Sequence, residues 1–461
     1  MKTPPDETRL KLERQTALNG WVASFERGSN LAGGGSRLRL LYGTEEALPT
    51  VSTAGSCAAI FEGVLFDRDL LRKNLGDRVD PTWNEARLVI EAYRRWGEGV
   101  LHKIRGIFAL ILWDKALNIL VCARDPLGIH PVYYAERGRE LLVSSSLASL
   151  LQSPNVPREL NRAALADQLC HRFPVPDETY FAGIRRIMAG HALRESGSGC
   201  HVYRYWSPVP TDGPAEWIRE DALDRFDQVL EQAVARCLSV GPAGFYLSGG
   251  LDSVSAAAVA AAVARRDNLP VPLALSLAFP HPDCNEEAVQ TGVASGLGMP
   301  QVMIPFHEAA GPEGLLWAAV EMSKSLSTPT LNPWRAAYFT LGQAAFQRGC
   351  RVIMTGNGGD ECLTVSPRYG ADLIRSFNLR GFYRLGTSFL RSYHLPRLHH
   401  IRFILWKAGI RPVLELYGAK IMRSVAPDRL GARRHTRLAS STQPWIAPNE
   451  TLRKELDQRI E

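Results

Sequence analysis

The chain has 461 residues, of which 45% are apolar, 22% charged and 8% aromatic, so it is globular in composition but too long for one hydrophobic core, and two domains are expected. Its sequence has no run of about 18 apolar residues, and the polar start Met1 to Glu7 leads into no apolar stretch of signal type, which excludes a helical membrane span and makes the cytoplasm the expected location. The net charge of +7 is modest and its excess sits late, between Arg391 and Arg437, where a solvated helical face is preferred to a nucleic-acid or acidic-peptide surface.

In chain order, Trp21 to Leu151 reads as one α+β domain. Short β-rich runs occur at Ile107–Trp113, Ile119–Cys122 and Leu141–Ser144. Asn84 to Trp96 has helical periodicity, with Leu88, Val89, Ala92 and Tyr93 on one face and Gly97 as the stop. A second helix is predicted from Asn161 to about Cys170, a hairpin tip at Ser196–Gly199, and a linker around Val209–Pro214. A long helix, Asp221–Leu238, then opens the second domain. It is followed by a short strand, Gly244–Leu247, a glycine loop and an alanine-rich helix through Arg265. Further apolar strands at Leu273–Ala278 and Val352–Met354 alternate with helical stretches, the pattern of a parallel sheet covered on both faces. The cysteines, Cys57, Cys122, Cys170, Cys200, Cys237, Cys284, Cys350 and Cys362, are scattered without a CxxC pair, which argues against zinc and against a disulfide framework.

The chemistry is concentrated in Ser248-Gly249-Gly250-Leu251-Asp252-Ser253. A loop that leaves a buried strand and enters a helix turns its backbone N–H groups and the helix N-terminus toward one point, which suits an anion. Gly249 and Gly250 allow positive φ and close approach, Ser248 and Ser253 add hydroxyls, and Asp252 offers a carboxylate for magnesium. No Walker-type lysine is present. The loop therefore suits a leaving pyrophosphate, with ATP converted to AMP and pyrophosphate, against the alternative of a Gly-Gly turn that merely starts a helix. A second loop, Thr355-Gly356-Asn357-Gly358-Gly359-Asp360-Glu361, again follows an apolar strand, and Asp360 is expected to share the metal with Asp252.

Together these residues carry a resemblance. Leu247–Ser253 and Gly356–Glu361 in the second half resemble the glutamine-dependent asparagine synthetases. So do Glu91–Gly97, Gly106–Asp114, Ala123–Tyr134, Gly183–His191 and Tyr205-Trp206 in the first half. The resemblance implies an α/β two-domain fold: an N-terminal Ntn-type αββα sandwich of class II glutamine amidotransferase type, and a C-terminal Rossmann-like ATP-pyrophosphatase (PP-loop) parallel sheet with helices. The expected limits are an extension over 1–18, an amidotransferase-like domain over 19–207, a linker over 208–220 and the ATP-pyrophosphatase domain over 221–461. The implied cofactors are ATP and Mg2+. Leu247, Ser248, Gly249, Gly250, Asp252, Ser253, Phe279, Thr355 and Gly356 are expected to bind nucleotide, Asp252 and Asp360 to bind metal, and Asp252, Asp360 and Asn357 to form the catalytic set.

The first half departs from the family pattern. The family nucleophile is an N-terminal cysteine, but the matching place here is the internal Asn19-Gly20-Trp21. The glutamine-holding Asn-Gly-Glu segment is matched by Glu62-Gly63-Val64. Loss of glutaminase activity is therefore expected, as in the β-lactam synthetases and lasso-peptide cyclases, where an amine of the substrate replaces ammonia. Asn357 stands where the family usually has glutamate and can orient a substrate but cannot act as a base. The family's late lysine has no clear counterpart, since Lys454 falls in the polar helix Glu450–Ile460 and reads as a surface residue. A chain that continues beyond 461, completion by a partner, and a non-catalytic subunit are the corresponding expectations. The substrate expected is a small-molecule or peptide carboxylate, with the idle domain serving as a docking surface in a homodimer or for a partner biosynthetic protein.

Overall fold

The computed structural model describes residues 10–15, 18, 20–28, 36–44, 48–76, 79–154, 156–170, 172, 175–196, 199–209, 220–330, 332–363, 369–392, 402–425, 445–447 and 449–459. Asn19 and most of the expected extension and linker lie outside these residues. The chain divides into two compact units, Met1–Ala164 with Pro174–Gly356, and Leu165–Phe173 with Asn357–Glu461.

The first unit begins with β1 (Lys11–Arg14), β2 (Trp21–Glu26), β3 (Arg37–Tyr42), β4 (Thr50–Ala54), β5 (Cys57–Phe66), β6 (Arg105–Asp114), β7 (Ile119–Arg124), β8 (Tyr133–Arg137), β9 (Glu140–Ser144), β10 (Ile184–Arg186), β11 (His191–Ser196) and β12 (Gly199–Arg204). They form two six-stranded sheets, ordered β1-β3-β2-β9-β8-β10 and β12-β11-β7-β6-β5-β4. The alternation of side chains along each strand builds the layers. In β6, Ala109, Ile111 and Trp113 enter the core between the sheets with Trp21, Phe25, Leu40 and Val143, while Phe108, Leu110 and Leu112 face the opposite way.

The connecting helices are α1 (Arg68–Leu75), α2 (Glu85–Trp96) and α3 (Leu147–Gln152), followed by α4 (Arg162–Leu169), whose residues from Leu165 onward belong to the second unit. Leu88, Val89, Ala92 and Tyr93 of α2 pack on the outer face formed by Phe61, Phe108 and Leu110. Asn84 accepts from the N–H of Arg87 to start α2, and Gly97 ends it at φ 59°, a conformation that glycine adopts without strain. Leu147 and Leu150 of α3 cover the outer face of the other sheet against Val22, Ala135 and Leu142. These contacts complete a helix-sheet-sheet-helix sandwich. The hairpin expected at Ser196–Gly199 joins β11 to β12, with those two residues directly paired.

The same unit contains the parallel sheet, made from β13 (Ala243–Tyr246), β14 (Leu273–Ala278), β15 (Gln301–Pro305) and β16 (Val352–Met354). Its helices are α5 (Glu220–Leu238), α6 (Leu251–Arg266), α7 (Glu287–Gly296), α8 (Phe306–Ala310), α9 (Gly314–Ser325) and α10 (Arg335–Gln347). The strand order β15-β14-β13-β16 is parallel throughout. One face packs Val234 and Leu238 of α5, Ala257, Ala260 and Ala264 of α6 and Ala294 of α7. The other packs Ala309 of α8 and Ala337, Leu341 and Ala345 of α10 against Leu275 and Leu277. The alanine-rich sequence of α6 thus reflects close approach of helix to sheet. After β15 the chain returns to the far side of β13, so the strand order reverses between β13 and β16, the crevice where open α/β sheets bind ligands.

The second unit is helical among its described residues, with α11 (Gly359–Leu363), α12 (Tyr369–Arg375), α13 (Leu379–Ser392), a π-helical stretch Phe403–Ile410 running into Arg411–Val425, and a final helix Glu450–Gln458. Its buried Asp167 is held by Arg459 at 3.1 Å and by Arg172 at 3.8 Å. Lys454 pairs with Glu450 on the surface, with 71% of its side chain exposed, as read from the sequence. Among the described residues no helix is long and apolar enough to cross a membrane.

Candidate active site

The phosphate loop leaves β13 at Leu247, which is 2% exposed and belongs to the core beneath the loop. Its N–H donates to Leu275 O at 2.9 Å, and its carbonyl accepts from Ser276 Oγ at 3.0 Å, so both backbone groups are spent on β14. Leu247 therefore anchors the loop. Ser248 Oγ lies 2.8 Å from Ser253 Oγ and accepts from the N–H of Gly250 at 3.3 Å. The hydroxyl of buried Ser253 is within donating distance of the carbonyls of Ser248, at 3.1 Å, and Gly250, at 3.0 Å. The serine hydroxyls expected to face phosphate are thus turned inward and brace the turn.

The glycines also act differently from expectation. Among the described residues neither Gly249 nor Gly250 has positive φ, and Gly250 is extended at φ −74°, ψ 150° as the residue preceding α6. Space is tight at Gly249. A Cβ there would lie 3.1 Å from Cδ of Glu286, whose Oε2 accepts from the N–H of Gly249 at 2.8 Å. Asp252 follows in the first turn of α6, where the helix dipole favours a carboxylate. It is partly exposed and makes no hydrogen bond or ion pair among the described residues, so its oxygens are open to a cation.

The second loop leaves β16 at Thr355 and presses on the first. A Cβ on Gly356 would fall 2.7 Å from Ser253 N, 2.9 Å from Ser253 Cα and 3.0 Å from the carbonyl carbon of Asp252. No β-carbon fits there, so glycine is required for the two loops to meet on either side of the β13/β16 crevice. Phe279 follows β14 directly, and its ring stacks on Phe306 at 5.0 Å and meets Trp334 edge-on at 5.8 Å. Asn357 and Asp360 belong to the second unit, where Asp360 occupies the first turn of α11 and is exposed.

In the sandwich, the two places where the sequence departs from the family pattern meet. Trp21 Nε1 donates to Glu62 Oε2 at 2.9 Å, and His130 Nε2 approaches the same oxygen at 3.1 Å. Burial pushes the Glu62 carboxyl up, but the neighbouring His130 and Ser145 and the donating Trp21 outweigh it, and the group titrates below its ordinary range. Gly20 has φ 116°, and a Cβ on it would lie 2.5 Å from Ser149 Oγ. Arg124 and Asp125, adjacent in the chain, grip backbone rather than each other. Arg124 donates to the carbonyls of His130, Ile187 and Gly128, while fully buried Asp125 accepts from the N–H groups of Leu127, Ile129 and His130. A tight turn lined with backbone groups offers both residues more partners than they offer each other, and the turn they hold presents His130 to Glu62.

Comparison with known proteins follows the same division. The glutamine amidotransferase domain profile matches residues 22–206, and the asparagine synthase profile matches residues 225–459. The chain belongs to the asparagine synthase family. Asparagine synthetase [glutamine-hydrolyzing] 2 of Bacillus subtilis is 28% identical over 82% of this chain and 52% of the relative. Asparagine synthetase [glutamine-hydrolyzing] 3 of the same organism is 31% identical over 44% of this chain and 33% of the relative. Amidase chyE of Penicillium rubens is 27% identical over 69% of this chain and 48% of the relative. The chain spans a third to about half the length of these curated relatives.

Proposed function

We propose that this asparagine synthase family member is an AMP- and pyrophosphate-forming amide ligase of the cytoplasm, which activates a carboxylate as its acyl-adenylate for attack by an amine and has no glutaminase activity of its own. The observation that carries this reading is the contact of Gly356 with Ser253, which sets two glycine loops together at the reversal point of a parallel sheet. ATP would lie across that crevice. The N–H groups of the first loop and the N-terminus of α6 would receive the phosphates, with Leu247, Phe279, Thr355 and Gly356 near the adenosine. The open carboxylate of Asp252 fits Mg2+, which binds through one or two carboxylates together with phosphate and water, and Asp360 is the proposed second ligand. Magnesium when bound supplies charge neutralisation on the phosphates. The loop then keeps the leaving pyrophosphate in line while the substrate carboxylate attacks the α-phosphorus. Asn357 is proposed to orient the acyl group.

Loss of glutaminase activity is supported by Glu62. A carboxylate in the place of the amide-binding asparagine would repel the oxyanion of an acyl transfer, and here it is engaged by Trp21 and His130. The nitrogen would then come from free ammonia or from an amine of the substrate. ATP–pyrophosphate exchange across aspartate, other amino acids and candidate peptides tests the proposal. Exchange with one acid, lost in Asp252→Ala, supports it and names the substrate class. Nucleotide binding without exchange for any acid refutes it in favour of a non-catalytic subunit. Release of glutamate from glutamine would refute the glutaminase statement alone.

A further inference from the structure

Glu286 stands at the residue preceding α7, yet its side chain does not cap that helix. Asn285 does so instead. Its Oδ1 accepts from the N–H of Glu287 at 2.9 Å, and its Nδ2 donates to the carbonyl of Phe279 at 2.8 Å, tying the exit of β14 to the start of α7. The Glu286 backbone is fixed as well, its carbonyl accepting from the N–H of Gln290 at 2.8 Å. With the helix capped by its neighbour, the Glu286 carboxylate is free to cross to the phosphate loop, where Oε2 accepts from the N–H of Gly249 at 2.8 Å. The fit is close, since a Cβ on Gly249 would come within 3.2 Å of that same oxygen and the Glu286 side chain would have to give way by a few tenths of an ångström.

An N–H has one hydrogen to give. A carboxylate and a phosphate compete for it directly, and they repel each other as like charges near the same helix N-terminus. We propose that Glu286 is a competing anion on the phosphate loop, a positioning residue that holds the Gly249 N–H until a phosphate group of ATP displaces it and that retakes it as pyrophosphate leaves. This rests on the proposed assignment of the loop to phosphate. The arrangement weakens the grip on pyrophosphate and favours its release after the α-phosphorus has reacted.

Calorimetry on the full chain with magnesium pyrophosphate and, separately, with adenosine tests this for the wild type, Glu286→Gln and Glu286→Ala. The expected result is pyrophosphate binding tightened roughly tenfold in Glu286→Ala and less in Glu286→Gln, which keeps an acceptor but loses the charge, with adenosine binding unchanged. A purely structural strut gives the reverse: Glu286→Gln like the wild type and Glu286→Ala weaker. That outcome overturns the proposal, as does equal pyrophosphate binding by all three proteins, and both leave the phosphate assignment standing. Absence of pyrophosphate binding in all three overturns the phosphate assignment and the role of Glu286 with it.

Discussion

The two sheet systems treat their key carboxylates in opposite ways. Glu62 lies at the edge of the sandwich core with Trp21 and His130 on one oxygen. Asp252 sits at the start of α6 with its oxygens uncommitted among the described residues. In the sandwich, donors inside the protein have taken over the carboxylate and hold it in its charged form. At the parallel sheet, the serines and glycines close on one another and leave the carboxylate outside. A group whose hydrogen bonds are satisfied internally contributes to folding, while one left open is available to a ligand.

Removal of Trp21 gives the largest expected effect on this contrast. The side chain is 2% exposed in the core between the sheets, so Trp21→Ala should cost about 3–5 kcal/mol in urea unfolding, while exchange per folded molecule persists. A large loss of exchange in the still-folded protein would mean that the sandwich takes part in the chemistry. At the other site, Asp252→Ala should lower ATP–pyrophosphate exchange at least about a hundredfold, near 3 kcal/mol, with little change in the melting temperature. Equal exchange by the variant would remove Asp252 from the metal site.

Gly356→Ala comes next. Its β-carbon would fall 2.7 Å from Ser253 N, so one loop must shift, and we expect a loss of about 1–3 kcal/mol in stability with weakened nucleotide binding by calorimetry. Undisturbed nucleotide binding in this variant would show that the meeting of the loops is not needed.

The smallest effect belongs to Glu62→Gln. The carboxyl titrates below its ordinary 4.5, so between the two values the unfolded chain binds more protons and stability rises with pH. The contribution is complete above the ordinary value and is lost as pH falls through the lower, folded value. The side chain is 33% exposed, so solvent screening limits the difference to roughly 0.5–1 kcal/mol. Wild type and variant should therefore differ in urea midpoint above the ordinary carboxyl value and converge only as the pH falls below the lower, folded value. A gap that widens on acidification would contradict the assigned direction.

Much of the fold was legible from local pattern. Leu88, Val89, Ala92 and Tyr93 form a buried helical face that ends at Gly97, as their spacing indicates, because a 3.6-residue period and a glycine stop are local properties. The strand-loop-helix unit around Ser248–Ser253 is local in the same sense. Hydrogen-bond partners were not legible. Arg124 and Asp125 are adjacent in sequence yet serve different backbone groups of one turn, and Ser253 faces the loop it was expected to extend. Glu286 carried no motif at all, since its partner Gly249 lies 37 residues earlier, and only the packing of α7 beside β14 brings it into reach.

By itself the sequence determined the family, the two fold types and the position of both glycine loops, because periodicity, glycine placement and strand-to-helix order act over a few residues. Tertiary structure alone decided what each polar group does. It paired Glu62 with Trp21 and His130, turned Ser248 and Ser253 onto each other, required glycine at 356 by the nearness of Ser253, and set Glu286 against Gly249. Each depends on distances between segments far apart in the chain, where differences of an ångström separate a hydrogen bond from a clash.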